Sequence, residues 1–274
     1  MRISGKTRVV ALFGYPVEHT LSPVMQNAAF DHLGLNCCYL PFSVPPDSLK
    51  QAVESIRALS LLGANLTIPH KEAVIPFLDV LDNEAAAIGA VNTIVNREGK
   101  LTGYNTDGKG FMRSLDENQV SPVGKQVLII GAGGSSRAIS HYLGRDAGSL
   151  CLYNRSKDKA KALAAHLSSQ GFSVRVIDSL RDLAGFDIII NATALGLKTA
   201  DPLPFDIDLL TSSQVVCDLI YHKTQLCIQA EAKGCKTVSG KGMLLWQGAL
   251  ALELWTGAVP PVEIMRSALL SNPA

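Results

Sequence analysis

Lys125-Gln-Val-Leu-Ile-Ile-Gly-Ala-Gly-Gly-Ser-Ser-Arg-Ala138 is the stretch whose reading decides the fold. An apolar run at 127–130 enters Gly131-Ala132-Gly133-Gly134 and leaves as a helix-forming segment. In such a strand–turn–helix the first glycine makes the tight turn and the second lets a pyrophosphate approach the backbone. A small third residue, here Ser136, lets the helix pack close to the strand. The helix start then offers unpaired N–H groups and the positive end of its dipole to phosphate. A bare pattern of this kind also describes a flexible turn. Here a strand precedes it, a helix follows, and a second strand arrives at 150–153, so it reads as a dinucleotide-binding turn. No Gly-Lys-Ser/Thr follows at the spacing of a P-loop.

The tip of that second strand selects the dinucleotide. An Asp or Glu there would bond a ribose 2′-hydroxyl. The chain instead has Tyr153-Asn154-Arg155-Ser156-Lys157-Asp158-Lys159. Asn154, Arg155, Ser156 and Lys159 would attract a 2′-phosphate through charge-assisted hydrogen bonds. A solvated basic turn has the same composition, but the missing carboxylate favours NADP over NAD.

Outward from this point, strand and helix alternate along the chain, which predicts an α/β protein with largely parallel sheets. Before the turn, strands are expected at 9–13, 37–44, 64–68, 91–95 and 100–104. The last two flank Asn96-Arg97-Glu98-Gly99, a hairpin turn. Helices are expected at 22–32, with Ser22 as N-cap and Pro23 in first position, and at 46–59, 70–78, 83–88 and 107–117. Beyond Ser121-Pro122-Val123-Gly124, the most linker-like segment, strands are expected at 126–130, 150–153, 174–177, 187–191 and 215–220. Helices begin after Gly134, Lys157 and Gln225, and two more close the chain, at 243–256 and from 262. Two domains are the better count.

The 274 residues carry 25 Lys plus Arg against 24 Asp plus Glu, a net charge of +1, with 47% hydrophobic and 18% charged residues. Such a balance argues against a nucleic-acid binder and a polybasic membrane-surface protein, and the apolar content argues against disorder. No apolar run approaches the roughly eighteen residues of a membrane span. The basic start leads into only five apolar residues, too few for a secretory signal, so a cytoplasmic location is expected. The six cysteines form no C-x-x-C pair and read as reduced, buried thiols; metal-ligand spacing is absent.

Candidate substrate-binding residues cluster at strand ends before residue 110. Thr20 and Ser22 place two hydroxyls beside a helix start, a cradle for a carboxylate or an ordinary N-cap. Asn65 and Thr67 share one face of a strand by alternation. Lys71 falls in the first turn of the next helix, an unfavourable place for a cation beside the dipole, which hints at a purpose, although a merely solvated Lys is the alternative. Asn92, Asn105 and Asp107 add two amides and a carboxylate, although Asp107 could serve only as an N-cap.

Together these segments resemble the shikimate dehydrogenase family over nearly the whole chain. The motifs are G-Y-P-V-E-H-T-L-S-P from Gly14, G-A-N-L-T-I-P-H-K from Gly63, G-A-V-N-T from Gly89 and G-Y-N-T-D-G from Gly103. The glycine-rich turn follows, then N-R-S, N-A-T-A-L-G, D-L-I-Y and G-K-G-M-L-L-W-Q-G-A. The resemblance implies an N-terminal α/β substrate domain, residues 1–106 completed by 243–274, and a Rossmann-type NADP-binding domain, residues 107–242. The C-terminal helices would pack back on the first domain. It implies Lys71 as catalytic acid/base with Asp107 as its partner. Thr20 and Ser22 would bind the substrate carboxylate. Thr67, Asn92, Asp107 and Gln247 would read ring hydroxyls, with Asn65 and Tyr221 shaping the pocket. Gly131, Ala132, Gly133, Gly134 and Ser135 would meet the pyrophosphate, and Asn154, Arg155, Ser156 and Lys159 the adenosine phosphate. Thr193, Leu219, Gly240 and Met243 would line the nicotinamide end.

The implied reaction is reversible NADPH-dependent reduction of 3-dehydroshikimate to shikimate, in chorismate and aromatic amino-acid biosynthesis, without a metal, by a monomer or homodimer. A quinate/shikimate or aminoshikimate dehydrogenase paralogue is the alternative. Three departures bear on it. Thr20 stands where the family usually has Ser, adding a methyl group beside the carboxylate site. The segment from Tyr221 to Thr224 is about two residues shorter than the family's pattern. Ala194 stands where Ser is common.

Overall fold

Alternation of apolar residues builds two sheets, each the centre of its own unit. The computed structural model describes residues 3–271, so both ends of the expected first domain, 1–106 completed by 243–274, extend outside the described residues. The chain divides into one unit of Met1–Asp107 with Leu245–Ala274, and a second of Gly108–Leu244. These borders differ by one or two residues from the expected ones, and Asp107 falls in the first unit.

The first unit contains β1 (Arg8–Gly14), α1 (Ser22–His32), β2 (Cys37–Ser43), α2 (Leu49–Ala58), β3 (Gly63–Leu66), α3 (His70–Ala73), β4 (Val80–Leu81), α4 (Asn83–Ile88), β5 (Thr93–Arg97) and β6 (Lys100–Tyr104). Its sheet has the order β2-β1-β3-β5-β6-β4. β1 runs parallel to β2 and β3, but β5 is antiparallel to both β3 and β6. Three of this sheet's five pairings are parallel, in keeping with largely parallel sheets, and the antiparallel β5–β6 pair is the expected hairpin, because a two-residue turn reverses the chain. Glu98 and Gly99 both have positive φ, 52° and 86°, the conformation of a tight hairpin turn. Phe13, Val53, Ile56, Leu66, Ile94 and Leu101 are among the residues packed into this unit's core.

The second unit begins within α5 (Asp107–Glu117) and holds β7 (Gln126–Ile130), α6 (Gly134–Asp146), β8 (Ser149–Tyr153), α7 (Lys157–Ser168), β9 (Val174–Val176), β10 (Ile188–Asn191), β11 (Val215–Asp218), α8 (Gln225–Ala232) and β12 (Lys236–Ser239). All five pairings are parallel, in the order β12-β11-β10-β7-β8-β9. That is the doubly wound order with its switch point between β7 and β10. Both faces are covered, so the central strands β7, β8, β10 and β11 are mostly apolar on both faces, with polar residues such as Gln126, Ser149, Asn191 and Asp218 at their ends. Val127 and Ile129 pack with Phe111, Ile139 and Leu163 on one face, while Leu128 and Ile130 pack with Leu226 and Ala230 on the other. Each such side chain removed from water contributes about 1.5–3 kcal/mol.

The chain closes with α9 (Gly240–Thr256) and α10 (Val262–Ser271). The part of α9 in the first unit docks there through polar ties as well as apolar contact. Gln26 Nε2 donates to Gly248 O at 2.9 Å, and Trp255 Nε1 donates to Ile94 O at 2.9 Å. α10 packs along α1. The C-terminal helices thus complete the first unit, as expected.

Other differences are local. Residues 46–59 form a 3₁₀ turn, Pro46–Ser48, before α2, and residues 70–78 split into α3 and a second 3₁₀ turn, Ile75–Phe77, where Pro76 interrupts. Ser22 is the first residue of α1, not its N-cap, and no side chain caps that helix. β4 and β12 were not expected. β4 has two residues, and β12 buries Val238 alone, so neither carries a readable period. Among the described residues no helix is long and apolar enough to cross a membrane, and no group of three or more His, Cys, Asp or Glu is arranged to hold a metal. All six cysteines are free thiols and buried.

Candidate active site

In the first unit one edge of the sheet collects the polar residues. β1 and β3 run parallel, so their C-terminal ends share that edge. Antiparallel β5 brings its beginning there, with Thr93 opposite both Asn65 and Tyr104. β6 ends at the same place and hands the chain to Asp107. Residues 14–22, 65–71, 92–93 and 104–107 therefore meet although up to about ninety residues separate them.

The centre is an ion pair. Lys71 Nζ donates to Asp107 Oδ2 at 2.6 Å, with the two side chains 12% and 5% exposed. α3 is a single turn, so the dipole penalty on Lys71 is small, and the carboxylate offsets it. Its position is set on both sides: Val91 N donates to Lys71 O at 2.7 Å, and the buried His70 ring donates through Nε2 to Val44 O at 2.8 Å. Asp107 begins α5, but its carboxylate does not cap it. Its Oδ1 accepts from Asn92 Nδ2 at 2.9 Å, and its N–H donates to Asn105 Oδ1 at 3.0 Å.

Asn92 joins several groups. Its Oδ1 accepts from Thr106 N at 2.8 Å and from Thr93 Oγ1 at 2.9 Å; its Nδ2 also reaches Thr106 Oγ1 at 2.8 Å and Gln247 Oε1 at 3.3 Å. Thr106 Oγ1 donates to Gln247 O at 3.0 Å, tying α9 to the same cluster. Asn65 is turned into the scaffold. Its Nδ2 donates to Asn92 O and Thr93 Oγ1, and its Oδ1 accepts from Tyr39 OH at 2.8 Å. Thr67 stands half-buried at the end of β3, so close to β1 that a Cβ on Gly14 would come within 2.2 Å of its Cγ2. Thr20 and Ser22 lie together, with Ser22 N donating to Thr20 Oγ1 at 3.3 Å. Lys71, Asn92, Asp107 and Gln247 thus form one bonded cluster, with Thr20, Ser22 and Thr67 at the same sheet edge. Tyr39, Thr93 and Thr106 were missed. Thr93 and Thr106 directly follow amides in the sequence, a weak signal, and Tyr39 had none.

In the second unit β7 runs into the glycine-rich turn. Gly131 has φ +123°, and a Cβ there would lie 2.8 Å from Ala192 O, so only glycine fits. A Cβ on Gly133 would meet nothing within 4 Å, so this backbone is open to a ligand. The N-cap of α6 is Gly133, which brings no side chain to the helix start, and the positive end of a helix favours an anion there. Ser136 is fully buried and its Oγ donates to Gly131 O at 2.7 Å, which holds the helix start against the strand. At the tip of β8, Lys157 pairs with Asp178 at 2.9 Å. Arg155 and Lys159 are exposed, and among the described residues neither forms an ion pair. Asn154 Nδ2 donates to Ser156 O at 2.9 Å, shaping the turn. Glycine turn, helix start and basic tip are a donor set suited to a dinucleotide carrying a third phosphate.

The far end of the same sheet edge carries Thr193, Leu219, Gly240 and Met243. Gly240 lies against the strand β11 leaves, where a Cβ would come within 2.2 Å of Leu219 O. The short segment 221–224 is accommodated. Thr224 still caps α8, accepting from Cys227 N at 3.3 Å, and its hydroxyl donates to Asp218 Oδ2 at 2.7 Å. Burial pushes the Asp218 carboxyl above its ordinary value of 3.8, with bonds from Thr224, Ile220 N and Asn191 acting the other way. Desolvation likewise raises the buried Cys217 thiol. Asp218 and Asn191 head the motifs D-L-I-Y and N-A-T-A-L-G, but the sequence assigns neither a role.

Comparison with known proteins gives three matches to family models: a shikimate dehydrogenase substrate binding domain over residues 12–94, a shikimate / quinate 5-dehydrogenase over 115–198, and a shikimate 5′-dehydrogenase C-terminal domain over 240–270. The chain is 49% identical to the shikimate dehydrogenase (NADP(+)) of Desulforamulus reducens, covering 98% of this chain and 96% of the relative. It is similar to the crystal structure of shikimate dehydrogenase from Aquifex aeolicus, with a TM-score of 0.93 and 40% identity over 98% and 99% of the two chains. The Thermus thermophilus shikimate 5-dehydrogenase, solved in complex with NADP(H) and shikimate, matches with a TM-score of 0.88 and 35% identity over 97% and 99%.

Proposed function

The chain belongs to the shikimate dehydrogenase family, and we propose that the Lys71–Asp107 cluster is the site at which it reduces a cyclic ketone. It is an NADP-dependent oxidoreductase that interconverts 3-dehydroshikimate and shikimate, a step toward chorismate and the aromatic amino acids. Bound NADPH supplies a hydride; the chain's residues supply binding, orientation and the proton. The six buried thiols fit a reducing, cytoplasmic compartment.

Gly131 to Ser135 would hold the pyrophosphate on the start of α6. Arg155 and Lys159, with Asn154 and Ser156, would hold the 2′-phosphate. Thr20 and Ser22 would receive the substrate carboxylate at the uncapped start of α1, where helix dipole and hydroxyls both favour an anion. Thr67, Asn92, Asp107 and Gln247 would take the ring hydroxyls, and Asn92 has a 3.3 Å contact with Gln247 that a substrate hydroxyl can replace at little cost.

As the ketone oxygen gains negative charge, Lys71 stabilises it electrostatically and then donates a proton to it. In the oxidation direction the neutral amine takes the hydroxyl proton back. Asp107 holds the ammonium through Oδ2, while Asn92 holds Asp107 through Oδ1, so the nitrogen is fixed before substrate arrives. The buried ion pair is the observation that carries this reading. Initial rates with shikimate and quinate, each with NADP⁺ and NAD⁺, test it. Shikimate with NADP⁺ should be the fastest pair; quinate with NAD⁺ running faster would assign the chain to the paralogue.

A further inference from the structure

One buried ionisable group takes no part in the chemistry above. Asp218 ends β11, is 1% exposed, and pairs with no cation among the described residues. A buried carboxylate without a counter-ion is costly unless several donors converge on it. Here three do. Thr224 Oγ1 donates to Oδ2 at 2.7 Å, while Asn191 Nδ2 and Ile220 N each donate to Oδ1 at 3.1 Å.

Those donors come from two different loops. Asn191 ends β10, and every polar side-chain atom it has is committed. Its Nδ2 also donates to Leu195 O at 3.0 Å, and its Oδ1 accepts from Thr193 N at 3.1 Å and Thr193 Oγ1 at 2.7 Å. Ile220 and Thr224 belong to the loop after β11, which carries Leu219 and Tyr221. A second tie joins the same loops, where His222 donates through Nε2 to Gly196 O at 2.9 Å. β10 adjoins β7 at the switch point, so both loops border the crevice where a doubly wound sheet receives its ligand.

We propose that Asp218 is a positioning residue for hydride transfer: its carboxylate knots the loop after β10 to the loop after β11 and so sets where Thr193, Leu219 and Tyr221 stand. This rests on the reading of Thr193 and Leu219 as lining the nicotinamide end and of Tyr221 as shaping the substrate pocket. A carboxylate suits the position better than an amide, since it accepts from all three donors at once while an amide must turn one N–H toward a donor. Removal of the knot leaves the phosphate-holding residues, 131–135 and 154–159, untouched. Affinity for the cofactor and the rate of transfer should therefore separate.

The test compares Asp218→Ala and Asp218→Asn with the parent, using shikimate oxidation by NADP⁺ and the fluorescence of NADPH bound without substrate. In D218A, kcat should fall about tenfold to a hundredfold, the scale expected when reacting groups are misplaced by up to an ångström. The KM for NADP⁺ should stay within about threefold, as the phosphate contacts dominate it. The emission of the bound reduced nicotinamide should move toward that of free NADPH. D218N, which keeps an acceptor for Asn191 and Ile220, should lie between. A folded D218A with parental kcat and emission overturns the proposal. So does a loss in which kcat, NADPH affinity and thermal midpoint fall together, since that assigns Asp218 to the fold alone. Should D218A not fold, D218N decides by the same two readouts: partial loss of both supports the knot, and parental values refute it. If the parent oxidises no shikimate, the functional reading fails while the fluorescence comparison still decides the role of Asp218.

Discussion

Replacing Lys71 by Met should produce two separable losses whose sizes follow from the geometry. Positioned proton transfer is worth about 10²–10⁴ in rate, and the fixed charge adds to it, so kcat should fall by at least about 10². NADPH affinity should be nearly unchanged, because Lys71 lies in the first unit and the dinucleotide residues in the second. The second loss is stability. Asp107, 5% exposed, would keep its 2.9 Å bond from Asn92 and lose the ammonium at 2.6 Å. Removing one partner of a buried pair costs about 3–5 kcal/mol. The bond from Asn92 and the partial exposure of the Lys71 side chain place this case near about 3 kcal/mol. At about 2–4 °C per kcal/mol, the midpoint for a chain of this size should drop by about 6–12 °C. The double variant Lys71→Met/Asp107→Asn closes a cycle: with no buried charge left, it should be no less stable than K71M and no less active. Rates come from reduced-nicotinamide absorbance and stabilities from thermal melts. A K71M enzyme within about tenfold of the parental kcat would refute the acid/base role. Strictly additive losses in the double variant would refute the coupling that the 2.6 Å contact implies.

Three further outcomes follow from the second unit. Arg155→Ser with Lys159→Ala should raise the KM for NADP⁺ about tenfold to a hundredfold, as expected for lost charge-assisted hydrogen bonds, and leave the KM for NAD⁺ little changed; equal effects on both would remove the 2′-phosphate assignment. Gly131→Ala combines φ +123° with a 2.8 Å approach to Ala192 O, so it should lower stability by about 1–3 kcal/mol and abolish tight NADPH binding, both measurable by melts with and without cofactor. The carboxyl of Asp218 is raised by burial above 3.8, so the native state keeps its proton to higher pH than the unfolded chain. That contribution is fully present below 3.8 and is lost as pH rises through the folded value. Thermal midpoints of the parent relative to Asp218→Asn should therefore decline across that window, and parallel pH curves would count against it.

Local physics made the second unit readable. The run 126–130 with its glycine turn needs only strand periodicity, a tight turn and a helix start, all decided within fourteen consecutive residues. The hairpin at Glu98-Gly99 is equally local. β12 escaped because one buried valine in four residues has no period, and β4 because two residues have none. Ser22 read as an N-cap because Ser-Pro is a common helix opening, but the helix takes Ser22 in as its first residue.

The cluster around Lys71 and Asp107 is the opposite case. Candidate residues were visible one by one, and each had a bland alternative: Asp107 as a cap, Lys71 as a solvated cation, Thr20 and Ser22 as a helix opening. The antiparallel course of β5 chooses between them, turning Asn92 and Thr93 to the edge where β1, β3 and β6 end. It joins Lys71 to Asp107 across thirty-six positions, and α9 brings Gln247 from 155 positions beyond Asn92. Hydrogen-bond partners also redistribute roles, with Asn65 turned into the scaffold and Asp218, the head of the D-L-I-Y motif, given partners the sequence does not show. Sequence by itself determined the elements other than β4 and β12, the dinucleotide turn and the residue types, because those depend on neighbours along the chain. Which carboxylate meets which amine was decided only by tertiary structure, because a buried charge takes its meaning from partners that folding alone brings within 3 Å.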